Sequence, residues 1–476
     1  MTTDLCYLTA TEAIGLFRAR KLSPVELLSA YISRAQAVEP TINAFTDTYF
    51  DEAMAEAKAA EQRYMSGDAQ TLRPLEGLPV AVKDAQRVAG KRTTYGSAIL
   101  VDNVDDHSDP MIERLQGAGA IIHARTTTLE FCLSSSCNTK LWGRTLNPFN
   151  TQYGPGGSSG GSAASLAAGT SALATGTDIG GSIRIPASCC GLVGYKPPKG
   201  RNPDGPPANF DPYNHCGPLA RSVADAALVQ NVVSGPHPRD HSSLRDKVHV
   251  PDAFAPVRGM RIAWSMDLGY MPIDREVRKA TLAALDIFRS LGCTVEEVDL
   301  GWTTECDKAA LAWYNAMHFG RQPLWYLKDN EARMTDYAIA AAKAASRLSP
   351  DDVARSWETQ NAMYQDFATV METHDLFICP TNSLPALRAD QDMADQNFTI
   401  DGQKADPEYG WILTHHFNML HNCPVMSVPS GRAANGVPTG IQLVGPTFDD
   451  LTVFRAASAY QHAVGGWFGP DWRPAL

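Results

Sequence analysis

In the first 70 residues, apolar positions recur at helical spacing, and residues typical of helix N-termini precede them. Thr9 and Glu12 have the spacing of a capping box, and Ser23 and Glu26 repeat it ahead of a second amphipathic pattern. The second helix should end before Pro40, because proline cannot continue the hydrogen bonding of a helix. The pattern predicts a helical surface segment with helices over residues 10–18, 24–39 and 51–64.

Beyond residue 75, short apolar runs alternate with helical patterns, which is typical of an α/β layered fold with a largely parallel sheet. The predicted strands cover residues 75–84, 120–124, 260–264, 294–300, 375–380 and 425–429. The predicted helices cover residues 112–117, 222–233, 274–291, 451–464 and the aromatic-rich segment 305–375. Two stretches without periodicity, 199–214 and 234–257, are predicted to be long connections.

The stretch from Tyr153 to Pro197 breaks this pattern with two glycine-flanked serine clusters, 156–162 and 178–182. Glycine is costly in regular structure, because it loses more backbone entropy on folding than other residues. Such a run indicates backbone with unusual dihedral angles, or backbone N–H groups brought close to a ligand. The plainer alternative is a small-residue helix packed between two turns.

Three known glycine-rich chemistries do not fit this stretch. A phosphate-binding P-loop needs a lysine after its glycines, and residues 154–162 contain none. A dinucleotide fingerprint needs a third glycine where Ser159 stands, and the G-x-S-x-G elbow is absent around Ser158 and Ser182. No histidine is positioned for a Ser-His-Asp triad. What remains is a serine nucleophile activated by another base.

Ser182 and Lys83 are the candidates for that chemistry. The N–H groups of residues 179–181, which precede Ser182, can converge as an oxyanion hole, and serine needs a base to take its proton. Lys83 lies in the apolar run 78–85, where burial would lower its pKa and supply a neutral amine. An ion pair with a carboxylate, or a position at an exposed strand end, explains Lys83 equally well from spacing alone.

Composition limits the partners and the location. A net charge of -11 argues against nucleic acid and anionic membranes, and no run of about 18 apolar residues predicts a membrane span. No basic segment precedes an apolar run near the N-terminus, so no signal peptide is predicted. The cysteines and histidines lack metal-ligand spacing, and His415, His416 and His421 form the densest group. We expect no metal, no cofactor and a reduced, cytoplasmic location.

The motifs around these residues resemble the amidase signature family of serine hydrolases. They are GLPVAVKD, GGSSGGSAA, TDIGGSIRIPA, GLVGYKP, GPLARSVADAA, CPVMSVPSG and GVPTGIQLVGP, which together extend over nearly the whole chain. The resemblance implies an α/β fold with a large mixed, mostly parallel β-sheet covered by α-helices on both faces. It also implies hydrolysis of a carbon–nitrogen bond through an acyl-enzyme.

The resemblance further implies one domain over residues 1–476. Within it we expect an N-terminal helical segment (1–70), a catalytic core (71–235), a more variable helical substrate-side region (236–375), and a C-terminal part that returns to the core (376–476).

Carried over by position, the family's Ser-cisSer-Lys triad falls on Ser182 as nucleophile, Ser158 as bridging serine on a cis peptide, and Lys83 as base. Serines 158 and 182 are 24 residues apart, as in the family. The oxyanion-hole role falls on Ile179, Gly180, Gly181 and Ser182. The residues expected to hold the loop are Gly157, Ser159, Asp178 and Arg184.

The substrate pocket is the part that the resemblance determines least. Residues 124–131 stand where many members read GKTNMPEF, and Thr127 and Thr128 change this segment, which often lines the site. Candidate wall residues are Tyr95, Phe131, Cys132, Thr127 and the segment 411–419, and segment 302–364 is either a lid or core. We expect a small hydrophobic or aryl amide, or a carbamate, as substrate, and a monomer or homodimer.

Two alternatives stay open. The first is the transamidase component of a glutamine-dependent tRNA amidotransferase, which works with a partner chain, although residues 333–352 lack the arginine motif used there for a glutamine carboxylate. The second is a non-catalytic scaffold with the amidase fold, which intact triad positions argue against.

Overall fold

One sheet of eleven strands runs through the molecule, and helices pack against it. The computed structural model describes residues 5–66 and 72–476, so residues 1–4 and 67–70 of the expected N-terminal helical segment lie outside it. Its strands are β1 (Phe45–Thr48), β2 (Pro79–Lys83), β3 (Ile121–Thr126), β4 (Asn138–Thr139), β5 (Gly143–Arg144), β6 (Leu173–Asp178), β7 (Val193–Lys196), β8 (His215–Ala220), β9 (Arg261–Trp264), β10 (Thr294–Glu297), β11 (Leu376–Pro380), β12 (Thr399–Ile400), β13 (Gln403–Lys404), β14 (Val425–Arg432) and β15 (Pro438–Val444).

The helices come from all parts of the described chain. They are α1 (Ala10–Arg18), α2 (Pro24–Ile42), α3 (Phe50–Ser66), α4 (Pro110–Gly117), α5 (Gly160–Ala167), α6 (Arg184–Cys189), α7 (Val223–Val233), α8 (Arg275–Ser290), α9 (Glu305–Ala316), α10 (His318–Asn330), α11 (Asp336–Ala345), α12 (Pro350–Met371), α13 (His416–Met419) and α14 (Asp450–Ala463). None of the described helices is long and apolar enough to cross a membrane.

The sheet has the order β1-β3-β2-β6-β8-β7-β14-β15-β11-β9-β10. The expected mixed α/β fold is confirmed, with parallel pairing confined to the flanking blocks β3-β2-β6 and β11-β9-β10. Six of the ten pairings described within this eleven-stranded sheet are antiparallel, including every pairing from β6 to β11. The central strands β14 and β15 are joined by a short hairpin, and a hairpin can only pair antiparallel strands.

Two hydrophobic clusters cover the sheet on its two faces. One contains apolar side chains of α4, α7, α8 and α14. The other contains those of α5 and α6, together with Trp411 and Ile412. Both clusters draw on strands from residues 71–235, and the sheet itself includes β11, β14 and β15, so the same sheet connects the expected core to the segments after it.

Most sequence-predicted elements are confirmed. Both capping boxes are formed, at Thr9 with Glu12 and at Ser23 with Glu26, and β9, α8 and β10 form the predicted βαβ unit. The predicted end of the second helix was wrong, because α2 continues through Pro40 to Ile42. A proline this close to the helix end removes a single hydrogen bond.

Five strands of the eleven-stranded sheet were not predicted: β1, β6, β7, β8 and β15. They are short or rich in glycine, proline and small residues, which are depleted in strands. β1 is only four residues long and pairs at the sheet edge with β3. The small-residue stretch therefore contains two strands, β6 and β7, in addition to the helices α5 and α6.

Candidate active site

Lys83 is the last residue of β2 and is completely buried. β2 pairs with β3 and β6, so the lysine is held in the middle of a three-stranded parallel block. Its Nζ lies 2.7 Å from Ser158 Oγ and 2.8 Å from Thr177 Oγ1. Burial lowers the pKa of Lys83 below its usual range, although nearby Asp178 favours the charged form. Of the two alternatives for Lys83, the exposed strand end is excluded, and no carboxylate pairs with it among the described ion pairs.

Ser158 precedes α5 in the first glycine-serine cluster. The Gly157–Ser158 peptide bond is cis, and Thr128 Oγ1 donates a 2.9 Å hydrogen bond to the Ser158 carbonyl oxygen. A Cβ at position 157 would lie 2.6 Å from Leu129 Cδ1 and 3.2 Å from the Ser135 carbonyl, so a larger residue would have to displace the buried Leu129 side chain. These contacts place the loop so that Ser158 Oγ meets the lysine amine.

Ser182 lies in the turn that follows β6 and is 7% exposed, whereas Lys83 and Ser158 are fully buried. Hydrogen bonds hold three carbonyl oxygens around this turn: Tyr314 Oη donates to Ile179 at 3.1 Å, Thr414 Oγ1 to Gly180 at 2.6 Å, and Ser159 N to Ser182 at 3.1 Å.

The N–H groups of residues 179–182 donate no hydrogen bond within the described part of the chain. They are fixed through their own carbonyls and remain available to an oxyanion.

Asp178 and Arg184 form a completely buried pair behind this turn, with Nη2 and Oδ1 2.9 Å apart. Burial opposes ionisation, but the Arg184 guanidinium and the Asn418 amide hold the pKa of Asp178 well below its usual range. Arg184 also donates to the Thr414 carbonyl at 2.9 Å and to Gln442 Oε1 at 2.8 Å. The pair thus ties the turn to the C-terminal part of the chain.

A small cavity of about 30 Å³ opens beside Ser182. We call it the inner cavity; its lining residues are Cys132, Leu133, Ser134, Ser135, Gly157, Gly180, Ser182, Ile185, Tyr314, Tyr409 and Ile412. None of them is charged. A larger cavity of about 800 Å³, the outer cavity, shares Leu133 and Tyr409 with it. The two cavities are therefore neighbours, and these side chains separate them.

A third cavity, of about 850 Å³, is the largest of the three, but Lys83, Ser158 and Ser182 are not among its lining residues.

The four expected wall residues differ in position. Cys132 lines the inner cavity, and Phe131 and Tyr95 pack behind it in a separate cluster where Phe131 stacks on Tyr326. Thr127 does not line the cavity: its Oγ1 is buried against Thr145 Oγ1 at 2.6 Å. The reason is local, because Thr127 follows β3 and its N–H bonds to the Ala44 carbonyl.

Several side chains at the site were not named individually from the sequence, although Tyr314 lies in the candidate segment 302–364, and Thr414 and Asn418 lie in the candidate segment 411–419. Thr177 contacts the lysine, Tyr314 and Thr414 hold carbonyls of the turn, and Asn418 donates to the Asp178 side chain at 2.8 Å. Thr177 is the first residue of the TDIGGSIRIPA motif, so it alone of the four lies in a motif that the sequence analysis used. The others lie more than 130 residues downstream, and only the sheet topology brings them here.

The histidine group at 415–416 lies next to Thr414. His415 Nε2 bonds to Asp307 Oδ1 at 2.7 Å, and the Tyr270 hydroxyl lies 2.6 Å from both Asp307 Oδ1 and His416 Nε2. The potential ligand atoms of Asp307, His415 and His416 all fall within 4.8 Å of one another. In this structure the group is a hydrogen-bonded cluster that joins α9 to α13.

The fold and the comparisons with known proteins define the class of protein. The model of the Amidase family matches residues 26–454, and the chain belongs to this family. The chain is therefore an enzyme, a hydrolase that acts on carbon–nitrogen bonds in linear amides.

Three relatives illustrate the range of the family. The chain is 33% identical over 477 residues to an acylamidase of Rhodococcus erythropolis, covering 99% of this chain and 98% of that protein. It is 32% identical over 499 residues to a glutamyl-tRNA(Gln) amidotransferase subunit of Geobacter metallireducens, covering 97% and 98%. A crystal structure of a bacterial aryl acylamidase of the amidase signature family superposes with a TM-score of 0.89 at 30% identity, covering 96% of each chain.

Proposed function

We propose that the protein hydrolyses a small hydrophobic or aryl amide, or an aryl carbamate, through an acyl-enzyme on Ser182. The observation that carries the proposal is the Lys83 amine, fully buried and 2.7 Å from Ser158 Oγ, next to a turn whose N–H groups remain available. A neutral amine there can accept a proton, which a protonated surface lysine could not do.

The mechanism follows from this arrangement. The Ser182 hydroxyl passes its proton to Ser158 Oγ as Ser158 passes its own to Lys83 Nζ, and Ser182 Oγ bonds to the amide carbon. The carbonyl oxygen becomes an oxyanion facing the N–H groups of residues 179–182. When the C–N bond breaks, the leaving nitrogen takes the proton back along the same path. Water then attacks the ester, and the relay returns Ser182 to its free form.

The uncharged lining of the inner cavity supports an uncharged group as the part of the substrate next to Ser182, and the volume of about 30 Å³ leaves room for a small group. Its described lining residues are uncharged and include the aromatic rings of Tyr314 and Tyr409. A charged group there would lose its hydration without gaining a partner. The aryl acylamidase with the same fold, at a TM-score of 0.89, agrees with this substrate class.

The proposal is tested by labelling and by turnover. A small fluorophosphonate should modify Ser182 stoichiometrically, as intact mass and peptide mapping would show, and Lys83→Met should abolish the adduct. The same protein should hydrolyse neutral acyl 4-nitroanilides, with release of 4-nitroaniline as the readout. A native chain that neither forms the adduct nor releases 4-nitroaniline would contradict the proposal.

The transamidase alternative has support from sequence identity, which is 32% to the amidotransferase relative and 33% to the acylamidase. It makes different predictions. A transamidase would hydrolyse glutamine, and it would co-purify with a partner chain. Turnover of anilides by the isolated chain, with no glutamine hydrolysis, would support the amidase; glutamine hydrolysis that appears only in a complex would support the transamidase.

A further inference from the structure

Glu408 lies where the outer cavity meets the inner one. It lines the outer cavity beside Tyr409, which lines both. Its carboxylate accepts hydrogen bonds from Ser134 Oγ at 3.0 Å and from Ser135 N at 2.8 Å, and these two serines line the inner cavity. Two residues that line the inner cavity therefore hold the Glu408 carboxylate in place by hydrogen bonds.

This carboxylate has no protein cation beside it. No lysine, arginine or histidine forms an ion pair with Glu408 in the described part of the chain. Buried or half-buried carboxylates are usually paired, because the loss of hydration must be offset. One bond to each oxygen also leaves lone pairs available, since a carboxylate can accept about four hydrogen bonds.

Charged groups of both signs line the outer cavity. Charged groups that face Glu408 are Asp406 in its own turn and, around the outer cavity, Lys140, Arg144, Asp336 and Asp392. Lys140 and Arg144 are exposed. Burial raises the pKa of Glu408 to about 7, and the Asp406 charge acts in the same direction while the serine hydrogen bonds oppose it. A cation bound beside Glu408 would stabilise the ionised form.

We propose that the outer cavity is a subsite for a protonated amino group of the substrate, with Glu408 as its carboxylate partner. This inference rests on the proposed function and narrows it to amides that carry a second, cationic amine. The scissile amide lies at Ser182 with its apolar part in the inner cavity. An alkyl chain of the substrate that passes Leu133 and Tyr409 brings the ammonium group to Glu408.

The test compares matched substrates. One series consists of ω-amino-acyl 4-nitroanilides of increasing chain length with their uncharged alkyl isosteres. The other consists of mono-acetylated diamines with acetylated alkylamines of the same length. At pH 8 we expect one amino compound to exceed its neutral isostere by about 10-fold or more in kcat/KM, a difference typical of a charge-assisted hydrogen bond.

Glu408→Gln should remove this preference. The amide keeps the side-chain shape and can accept from Ser135 N–H, but it carries no charge. Neutral isosteres then report whether the site is intact. The matched control is Glu297→Gln, an equal charge change at an exposed position of β10.

The pH dependence supplies a second readout. The native preference for the amine should grow from pH 6 to pH 8 as Glu408 ionises near pH 7, while an alkylamine stays protonated throughout. Glu408→Gln should lose this dependence.

The outcomes separate the two proposals. Hexylammonium, but not hexanol, should slow fluorophosphonate labelling of Ser182 in the native chain and not in Glu408→Gln, which tests the subsite without turnover. Turnover of neutral anilides with no amine preference and no protection would overturn the subsite alone. A preference that survives in Glu408→Gln, or is lost equally in Glu297→Gln, would also overturn it.

Discussion

The hydroxyl of Tyr314 donates a 3.1 Å hydrogen bond to the carbonyl oxygen of Ile179, at the start of the turn that carries Ser182. Tyr314 lies on α9, in the aromatic-rich helical segment, and it also lines the inner cavity. This segment therefore supports the backbone next to the candidate nucleophile and forms a wall of its cavity. Its neighbour Trp313 points elsewhere, with its indole N–H bonded to Asp211.

Tyr314→Phe should lower kcat by about 2- to 10-fold, the effect of one lost neutral hydrogen bond of roughly 0.5–1.5 kcal/mol. The ring and its packing stay in place, so KM for a neutral anilide should change little. Steady-state kinetics measure both. If KM rose while kcat stayed constant, Tyr314 would instead contribute to substrate binding.

The same residues show what the sequence could not reveal. Lys83, Ser158 and Ser182 stood in motifs, and the structure brings the lysine amine to the bridging serine. Tyr314 and Thr414 have no motif around them, and their roles depend on where α9 and α13 meet the turn after β6. Side chains that act through tertiary contacts leave no local signal.

The fold shows a related limit. Strong caps and long amphipathic patterns predicted α1, α2 and α8, because these signals are local. β6, β7 and β8 were missed, because small residues and glycine fill them and their stability comes from burial between neighbouring strands. Thr127 was assigned to the pocket on position alone, whereas its side chain turns toward Thr145.

Lys83→Met should lower kcat/KM by about 100- to 10,000-fold, the usual contribution of a general base. In the proposed mechanism the neutral amine is the base, and burial lowers its pKa, so native activity should rise with pH and level off below the usual lysine pKa of about 10.4. A pH profile of kcat/KM measures this. Lys196→Met is the control. If Lys83 is the titrating group, kcat/KM of this variant should rise with pH over the same range as kcat/KM of the native chain.

Gly181→Ala should lower kcat by at least about 100-fold, because displacing an oxyanion donor has that effect. Gly181 has φ of 122°, and a Cβ there would overlap the Thr414 side chain that holds Gly180. Gly90→Ala is the control, since Gly90 has φ of 73° with no neighbour within 4 Å of an added Cβ. Gly90→Ala introduces backbone strain without a steric clash, whereas Gly181→Ala introduces both. Equal losses of activity in the two variants would therefore contradict the steric argument.

Lys196 gives a prediction on stability rather than activity. It ends β7 fully buried, and its Nζ donates to the Cys423 carbonyl oxygen at 2.8 Å without a carboxylate partner among the described ion pairs. Burial, and then the charge of Arg184, lower the pKa of Lys196 to about 7. The unfolded chain should have the usual lysine pKa of about 10.4.

Between these two pKa values the unfolded chain binds a proton that the folded chain does not. The contribution of Lys196 to the free energy of unfolding therefore rises with pH from about 7 toward 10.4, by up to about 1.4 kcal/mol per pH unit. Below pH 7 its destabilising contribution is constant. Lys196→Met removes the dependence. Urea unfolding at pH 7.5 and pH 9.5 should show the variant gaining stability over the native chain at the lower pH, whereas an equal difference at both values would mean that Lys196 keeps its proton when buried.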